Sequence, residues 1–192
     1  MHGVGLDVAF GVLGEVRAVV DGAEVAELGG PQPRVVLAAL VVAGGRVVTA
    51  ESLVDAVWPA EPPASAPGTL HAYVSRLRKA LGPAGGVLER RGPGYRLAAP
   101  EAAFDWWRFE GLAERGREAL QGGDPAAARR LLLEAEGLWR GEPLDGLGDR
   151  PFAAGLVARL QERRSSAHGD RLEAELRLGR HAALLGELAQ AV

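Results

Sequence analysis

Residues 69–97, TLHAYVSRLRKALGPAGGVLERRGPGYRL, decide the fold, because they join the most regular amphipathic stretch of the chain to a hairpin pattern. Apolar residues recur there at the spacing of one helix face: Leu70, Val74, Leu77 and Leu81. The spacing predicts a helix over residues 69–81 that ends at Gly82. The rest of its surface carries mostly polar and basic side chains, namely His71, Ala72, Ser75, Arg76, Arg78 and Lys79.

The second part of this stretch has the pattern of a β-hairpin. VLERR (87–91) and YRLAA (95–99) flank a Gly-Pro-Gly turn at 92–94. The whole chain has a formal net charge of −3, but residues 64–99 contain six basic residues and one acid, Glu89, a local charge of +5. A positive patch on an acidic protein is a candidate footprint for a phosphate backbone.

The residues before this stretch predict a small sheet and two more helices. Three short segments favour strands: VAFGVLG (8–14), EVRAVV (15–20) and AEVAEL (23–28), with a hairpin turn at Asp21-Gly22 between the last two. A helix is predicted from Gln32 to Ala43, then a short strand over RVVT (46–49) and a helix over AESLVDAVW, with Thr49 as its N-cap. Four prolines between 59 and 67 predict a stiff connector.

The sequence after Pro100 changes to alanine, leucine, glutamate and arginine, which predicts helices and places a domain boundary near 98–103. The expected helices cover about 104–121, 124–140, 151–178 and 180–191; the third is either one helix or two, because it contains Gly155 and Gly169. A weak internal repeat aligns residues 118–136 with 174–192 and is typical of stacked helix pairs. The predicted domains are therefore residues 1–99 and 100–192.

Composition excludes several classes of protein. The chain has no cysteine, so disulfides, thiolate metal sites and cysteine nucleophiles are ruled out. No apolar run has the length of a membrane span, and the first residues lack the pattern of a secretory signal, so we expect a cytoplasmic protein. No catalytic or nucleotide-binding motif is present, and His71 has no second ligand at metal-site spacing. We expect no enzyme, no metal and no cofactor.

The basic helix and the hairpin together suggest a surface for double-stranded DNA. A helix fits the major groove, where arginine can bind guanine through two hydrogen bonds, and an extended hairpin can place arginine along the backbone or in the minor groove. The alternative is an ordinary amphipathic helix with a solvated charged face. The nearly acid-free segment and the adjoining hairpin favour DNA.

TLHAYVSRLRKALG and LERRGPGYRL resemble the recognition helix and wing of OmpR-like winged-helix domains, which are output domains of two-component regulators. With FDWWRFEGLAERGREAL, GDPAAARRLL, LWRGEPL and ELRLGRHAALL behind them, residues 8–191 resemble a Streptomyces antibiotic regulatory protein with its bacterial transcriptional activation domain. The resemblance implies an α+β winged helix followed by an all-α tetratricopeptide-like domain.

The resemblance also implies roles for individual residues. Base contacts are expected from His71, Ala72, Ser75 and Arg76, and phosphate contacts from Thr69, Tyr73, Arg78 and Lys79. Arg91 is expected to enter the minor groove from the wing tip, with support from Arg90. Tyr95 is expected to pack the wing onto the core with its hydroxyl toward DNA, and core packing without DNA contact is the alternative for both Tyr73 and Tyr95. Four aromatics of the second half are expected to be core and interdomain anchors: Trp106, Trp107, Phe109 and Trp139.

By the same resemblance the chain is expected to be an activator of a specialised-metabolite (antibiotic) gene cluster. It would bind promoter direct repeats as a homodimer and recruit RNA polymerase holoenzyme, with the connector at 59–67 as the polymerase contact; a plain rigid linker is the alternative. A helical-repeat interaction or ligand-sensing protein, and a repressor with the same DNA surface, remain open. The apolar end LLGELAQAV has no capping repeat, which predicts either a truncated protein or a partner on that face.

Overall fold

The computed structural model describes residues 7–180 and begins with a three-stranded antiparallel sheet. Its strands are β1 (Val8–Gly11), β2 (Arg17–Val20) and β3 (Ala23–Glu24), in that order. The predicted turn between β2 and β3 is confirmed: Asp21 and Gly22 have positive φ of 49° and 80°, as the tightest hairpin turns require. The strand predicted over 8–14 was too long, because the amides of Val12 and Leu13 bond to Asp105 instead of continuing a ladder.

Three helices and a short strand follow: α1 (Pro31–Val42), β4 (Val48–Thr49), α2 (Ala50–Val57) and α3 (Ala66–Ala80). Helix α1 lies at the centre of the core, and the predicted glycine stop is confirmed by Gly44, whose φ is 57°. The predicted cap of α2 is also confirmed, since the Thr49 hydroxyl accepts a hydrogen bond from the Ser52 amide at 3.1 Å.

Helix α3 begins three residues earlier than predicted, and the connector is correspondingly shorter. Pro67 lies in the first helical turn, where its missing N–H has no helical partner to lose and its fixed φ suits the helix. The whole predicted stripe is buried: Leu70, Val74, Leu77 and Leu81 are each at most 2% exposed.

A second sheet closes the first half of the chain. A 3₁₀ turn over Gly82–Val87 leads into β5 (Leu88–Arg91) and β6 (Gly94–Leu97), and the strand order is β4-β6-β5. Val48 pairs with Tyr95 and Thr49 with Gly94, so the hairpin is fixed to the strand that precedes α2. The arrangement of three helices, a small sheet and a hairpin is a winged helix, as predicted.

The second half is helical within the described residues: α4 (Asp105–Gln121), α5 (Pro125–Glu136) and α6 (Pro151–Arg177), after a 3₁₀ turn at Glu101–Ala103. Helix α6 is continuous, which settles the choice between one helix and two. The helix predicted over 124–140 ends at Glu136, and an irregular segment follows. Three predicted features lie outside the described residues: the helix over 180–191, most of the second repeat copy and the apolar end.

Close packing of α4 on α5 depends on one glycine. A Cβ at Gly116 would come within 2.6 Å of the Leu132 side chain, so only glycine lets this fully buried leucine approach α4 so closely. The Asp124 side chain caps α5 by accepting from the Ala127 amide at 2.9 Å. This tight helix pair is typical of the stacked repeats that the sequence predicted.

The two halves share one hydrophobic core, and a polar junction joins them. The Trp106 indole donates to the Val41 carbonyl at 3.1 Å and stacks on Trp107, with ring centroids 4.8 Å apart. Phe109 meets Trp139 edge to face at 5.1 Å. These contacts confirm the predicted anchoring role of the aromatics. The division into domains at 98–103 stays a prediction.

The loop between β1 and β2 forms the polar part of this junction. The Asp105 carboxylate accepts from the amides of Val12 and Leu13 at 2.9–3.1 Å, and from Arg140 Nη2 at 2.9 Å. The Arg140 amide donates to the Leu13 carbonyl at 2.8 Å, and the Leu144 amide donates to the Val12 carbonyl at 2.8 Å. The irregular segment after α5 therefore satisfies the backbone groups of a loop more than 120 residues earlier in the chain.

Candidate nucleic-acid interface

Helix α3 presents one continuous face to solvent. Its apolar stripe is buried against α1 and α2, and a helical repeat of 3.6 residues places the remaining side chains outward. The exposed members are those predicted from the sequence to meet base edges or phosphates: His71, Ala72, Ser75, Arg76 and Lys79. The face carries two positive charges, from Arg76 and Lys79, and within it no acidic residue.

The hairpin of β5 and β6 stands beside this face. Its turn is made by Gly92, with φ of 53°, and Pro93, so Arg91 pairs directly with Gly94 across the ladder. Arg90 and Arg91 lie at the tip and are exposed, as predicted. A Cβ at Gly94 would overlap the Val48 carbonyl, so glycine is required for the close approach of β6 to β4.

Two side-chain contacts join α3 to the hairpin. The guanidinium of Arg78 donates from Nε and Nη2 to the Leu88 carbonyl, at 3.0 and 2.8 Å. The Nδ1 atom of His71 is 3.0 Å from the Tyr95 hydroxyl. Together with the β4–β6 pairing, these contacts fix the wing relative to the helix, so the two parts form one surface.

The amino-terminal half of α3 is supported by aromatic stacking. Tyr73 is half-buried and stacks on Trp58, with ring centroids 6.0 Å apart and planes 23° from parallel. The Arg76 guanidinium lies 6.0 Å from the centre of the Tyr73 ring, at the outer limit of a cation–π contact. The Thr69 hydroxyl donates to the Ser65 carbonyl at 3.0 Å. Tyr73 therefore packs on Trp58 at the edge of the α3 face, while Arg76 remains exposed.

One acid moderates the charge of the wing. Glu89 binds Arg91 Nε at 2.9 Å and Arg96 Nη2 at 3.1 Å. The hydrogen bond from Arg91, and next the one from Arg96, hold the pKa of the Glu89 carboxyl below its ordinary value. The carboxylate thus stays ionised through the neutral range and offsets part of the charge at the wing tip.

The predicted site residues fall into three groups by exposure. Seven are exposed, namely His71, Ala72, Ser75, Arg76, Lys79, Arg90 and Arg91. Three are half-buried, namely Thr69, Tyr73 and Arg78, and Tyr95 is buried at 5% exposure. The structure brings all of them to α3 and the adjoining hairpin; whether they contact DNA stays a prediction.

Two residues of this surface were not predicted individually, Glu89 and Arg96. They face each other across the hairpin in the register of β5 and β6. The predicted turn at 92–94 is one residue too long, because Gly94 belongs to β6 and pairs with Arg91; in this register the opposite charges at 89 and 96 were a usable signal for a cross-strand pair. Within residues 7–180 no group of His, Asp and Glu could hold a metal ion, and none of the helices has the length and apolarity to cross a membrane.

Comparison with known proteins connects both halves to one kind of regulator. Residues 28–97 match the family described as "Transcriptional regulatory protein, C terminal", and residues 104–192 match "Bacterial transcriptional activator domain". Regulatory protein AfsR of Streptomyces coelicolor is 43% identical over 180 residues, and regulatory protein DnrI of Streptomyces peucetius is 37% identical over 167. The chain belongs to the Streptomyces antibiotic regulatory protein family.

Comparison with solved structures shows that this family member shares its fold with a longer regulator. The structure of Mycobacterium tuberculosis EmbR in complex with a low-affinity phosphopeptide superposes with a TM-score of 0.89 at 37% identity, over 97% of this chain and 50% of that one. The AfsR and DnrI alignments cover 93% and 82% of this chain.

The chain corresponds to only part of these longer regulators. It spans 18% of AfsR and 61% of DnrI. The members that it resembles are transcriptional regulators, which agrees with the exposed cationic face of α3 and with the wing beside it. The junction built around Asp105 joins residues of the second family match to the loop between β1 and β2, which precedes the first match.

Proposed function

We propose that this chain is a sequence-specific DNA-binding transcriptional activator of the cytoplasm. In this proposal it binds direct repeats in promoters as a side-by-side homodimer and recruits RNA polymerase holoenzyme to the genes of an antibiotic or other specialised-metabolite cluster. The observation that carries the proposal is the continuity of the exposed α3 face with the arginine-tipped hairpin, which Arg78 fixes to the helix.

The α3 face suits the major groove, because the groove of B-form DNA admits one helix. His71, Ala72, Ser75 and Arg76 would meet base edges. Arg76 is the strongest candidate for direct readout, because a guanidinium can donate two hydrogen bonds to the O6 and N7 atoms of guanine.

Phosphate contacts would come from both ends of the same surface. Lys79 lies exposed in the last turn of α3, and Thr69 and Tyr73 lie toward the first turns. Arg91 would extend from the wing into the minor groove with Arg90 beside it. Arg78 is the exception, because two of its nitrogens are bonded to the Leu88 carbonyl and its main contribution would be to hold the wing.

The connector before α3 is the proposed contact for the polymerase. Residues 59–65 are all exposed, and the prolines at 59, 62 and 63 restrict the backbone. A restricted segment loses less conformational entropy when a partner binds it than a flexible one does. The connector also lies next to the first turn of α3, so a partner bound there would be close to the DNA.

The test of DNA binding uses duplexes that the chain selects from a randomised library, and scrambled duplexes of the same composition. Arg76→Ala should lose about 1–3 kcal/mol of binding free energy on the selected duplex and relax the preference at one base pair. Lys79→Ala should weaken both duplexes about equally and reduce the slope of log affinity against log salt by about 1. Arg130→Ala is the matched control, since it removes an exposed positive charge from α5.

Three outcomes would separate the alternatives. If the wild-type chain showed no affinity for any duplex at low salt, the winged half would be a protein-interaction module and the proposal would be wrong. If neither Arg76→Ala nor Lys79→Ala differed from the Arg130→Ala control, α3 would not be the reading helix. Transcription in vitro from a promoter that carries the selected sequence distinguishes an activator, which raises the transcript level, from a repressor, which lowers it.

A further inference from the structure

We infer that Tyr95 is a positioning residue that fixes the tautomer of His71, so that His71 presents an N–H donor, and not an acceptor, on the exposed face of α3. The contact lies between a buried residue of β6 and an exposed residue of the helix: the Tyr95 hydroxyl is 3.0 Å from Nδ1 of His71. The two rings are tilted by 60°, with centroids 6.5 Å apart, so they are not stacked and the contact between them is the hydrogen bond.

The direction of this hydrogen bond follows from the environment of the phenol. Tyr95 is only 5% exposed, and within residues 7–180 its hydroxyl has no hydrogen-bond partner other than His71. If the imidazole donated from Nδ1, the phenolic proton would be left without a protein acceptor. If the phenol donates, its proton is used and Nδ1 is the acceptor; this is the favoured direction, because the low exposure of Tyr95 limits how well solvent could replace that acceptor.

The tautomer of the neutral ring then follows from its chemistry. A neutral imidazole has one donor and one acceptor nitrogen. With Nδ1 as the acceptor for Tyr95, the proton must lie on Nε2, the nitrogen directed away from the buried tyrosine. His71 itself is exposed, so this N–H is available to a ligand of the α3 face. In metal-bound and catalytic histidines, too, a hydrogen bond to one ring nitrogen determines which nitrogen carries the proton or the metal.

The consequence for base preference rests on the proposed DNA-binding function. An N–H donor in the major groove can bond to the acceptor edges of guanine, adenine or thymine, whereas cytosine offers a donor there. A fixed Nε2–H therefore disfavours cytosine at the base that His71 contacts. Loss of the Tyr95 hydroxyl would let the ring exchange tautomers, and the acceptor form would tolerate cytosine.

The tautomer can be tested without DNA, on the whole chain labelled with ¹⁵N at histidine and held at mildly alkaline pH, where imidazole is neutral. His71→Ala identifies the His71 resonances among those of the four histidines. In the wild type we expect an Nε2-protonated ring. In Tyr95→Phe, which keeps the aromatic packing, we expect a mixture of the two tautomers. A wild-type ring protonated at Nδ1, or the same spectrum in Tyr95→Phe, would overturn the inference.

The effect on recognition is measured by selection from a randomised duplex library with three variants. Tyr95→Phe should reduce the discrimination against cytosine at the same base position that His71→Ala affects. The expected reduction is about 2- to 10-fold, which corresponds to the net free energy of one hydrogen bond. The double variant should match His71→Ala alone, because Tyr95 acts through His71. Thermal melting of each variant checks that the fold is retained.

The outcomes of this selection are separable. If the wild type selects no sequence, the proposed function fails while the tautomer result stands by itself. If the wild type selects a sequence but Tyr95→Phe alters a different position, or adds to His71→Ala, the positioning role is wrong and the DNA-binding function is not.

Discussion

Removal of the Asp105 carboxylate should destabilise both halves of the chain. In Asp105→Ala the amides of Val12 and Leu13, both 0% exposed, lose their acceptor. An unsatisfied buried donor costs about 1–3 kcal/mol, so the two together cost about 2–6 kcal/mol. Arg140 loses its ion pair as well, but its side chain is 25% exposed and water can replace part of that contact.

We therefore expect the free energy of unfolding of Asp105→Ala to fall by about 3–5 kcal/mol, near the range for breaking a buried charge pair. A domain of ordinary stability has only about 5–15 kcal/mol in total. Asp105→Asn keeps one oxygen acceptor and should lose about half as much, because hydrogen bonds to a charged acceptor are roughly twice as strong as those to a neutral one.

The assay is urea unfolding of the full chain, followed by far-ultraviolet circular dichroism and by tryptophan fluorescence. Trp106 is buried next to this junction, so its emission should report the loss of the contact. Glu118→Ala is the control, because Glu118 is exposed on the same helix and its loss should change stability by about 0.5 kcal/mol or less. An Asp105→Ala midpoint equal to that of the control, with unchanged m-value, would refute the energetic role of the junction.

Three further changes have defined expected outcomes. Glu89→Gln should leave Arg91 without its ion pair and raise the affinity for a random duplex by about 2- to 5-fold at low salt, measured by fluorescence anisotropy. Because the pKa of the Glu89 carboxyl is lowered, this difference in affinity from the wild type should disappear only in acid, as the pH falls through that pKa. Gly94→Ala should destabilise the chain by about 1–3 kcal/mol in urea unfolding, because its Cβ would overlap the Val48 carbonyl; a wild-type midpoint would show that β6 can shift freely. Thr49→Ala should cost about 0.5–2 kcal/mol through loss of the α2 cap, and Thr49→Ser should restore most of it in the same assay.

The winged half could be predicted from the sequence because its signals are local. The apolar stripe of α3, the Asp21-Gly22 turn and the glycines after α1 each act over a few residues, and each prediction was confirmed. The predicted start of α3 was wrong because Pro67 follows three other prolines, a pattern typical of a connector, although proline is tolerated in a first helical turn.

The contacts that fix the site depend on pairs of residues distant in the sequence. Asp105 and Val12 are 93 residues apart, and no periodicity connects them. The helix predicted to reach 140 stops at Glu136 with Gly137 as its C-cap, and a few residues later the Arg140 and Leu144 amides bond to the loop between β1 and β2. The family resemblance implied a phosphate contact for Arg78, which stays a prediction; the approach of Leu88 to α3 also gives its guanidinium an acceptor within the protein.

The hydrogen bonds from Arg78 to the Leu88 carbonyl have a mechanical consequence. These bonds hold the base of the hairpin, so in the proposed complex we expect a groove of unusual width to be met more by bending or twisting of the duplex than by movement of the hairpin. The energy of such deformation depends on base steps that no side chain touches. We expect stiff and pliant spacer sequences to differ in affinity even when every contacted base pair is the same.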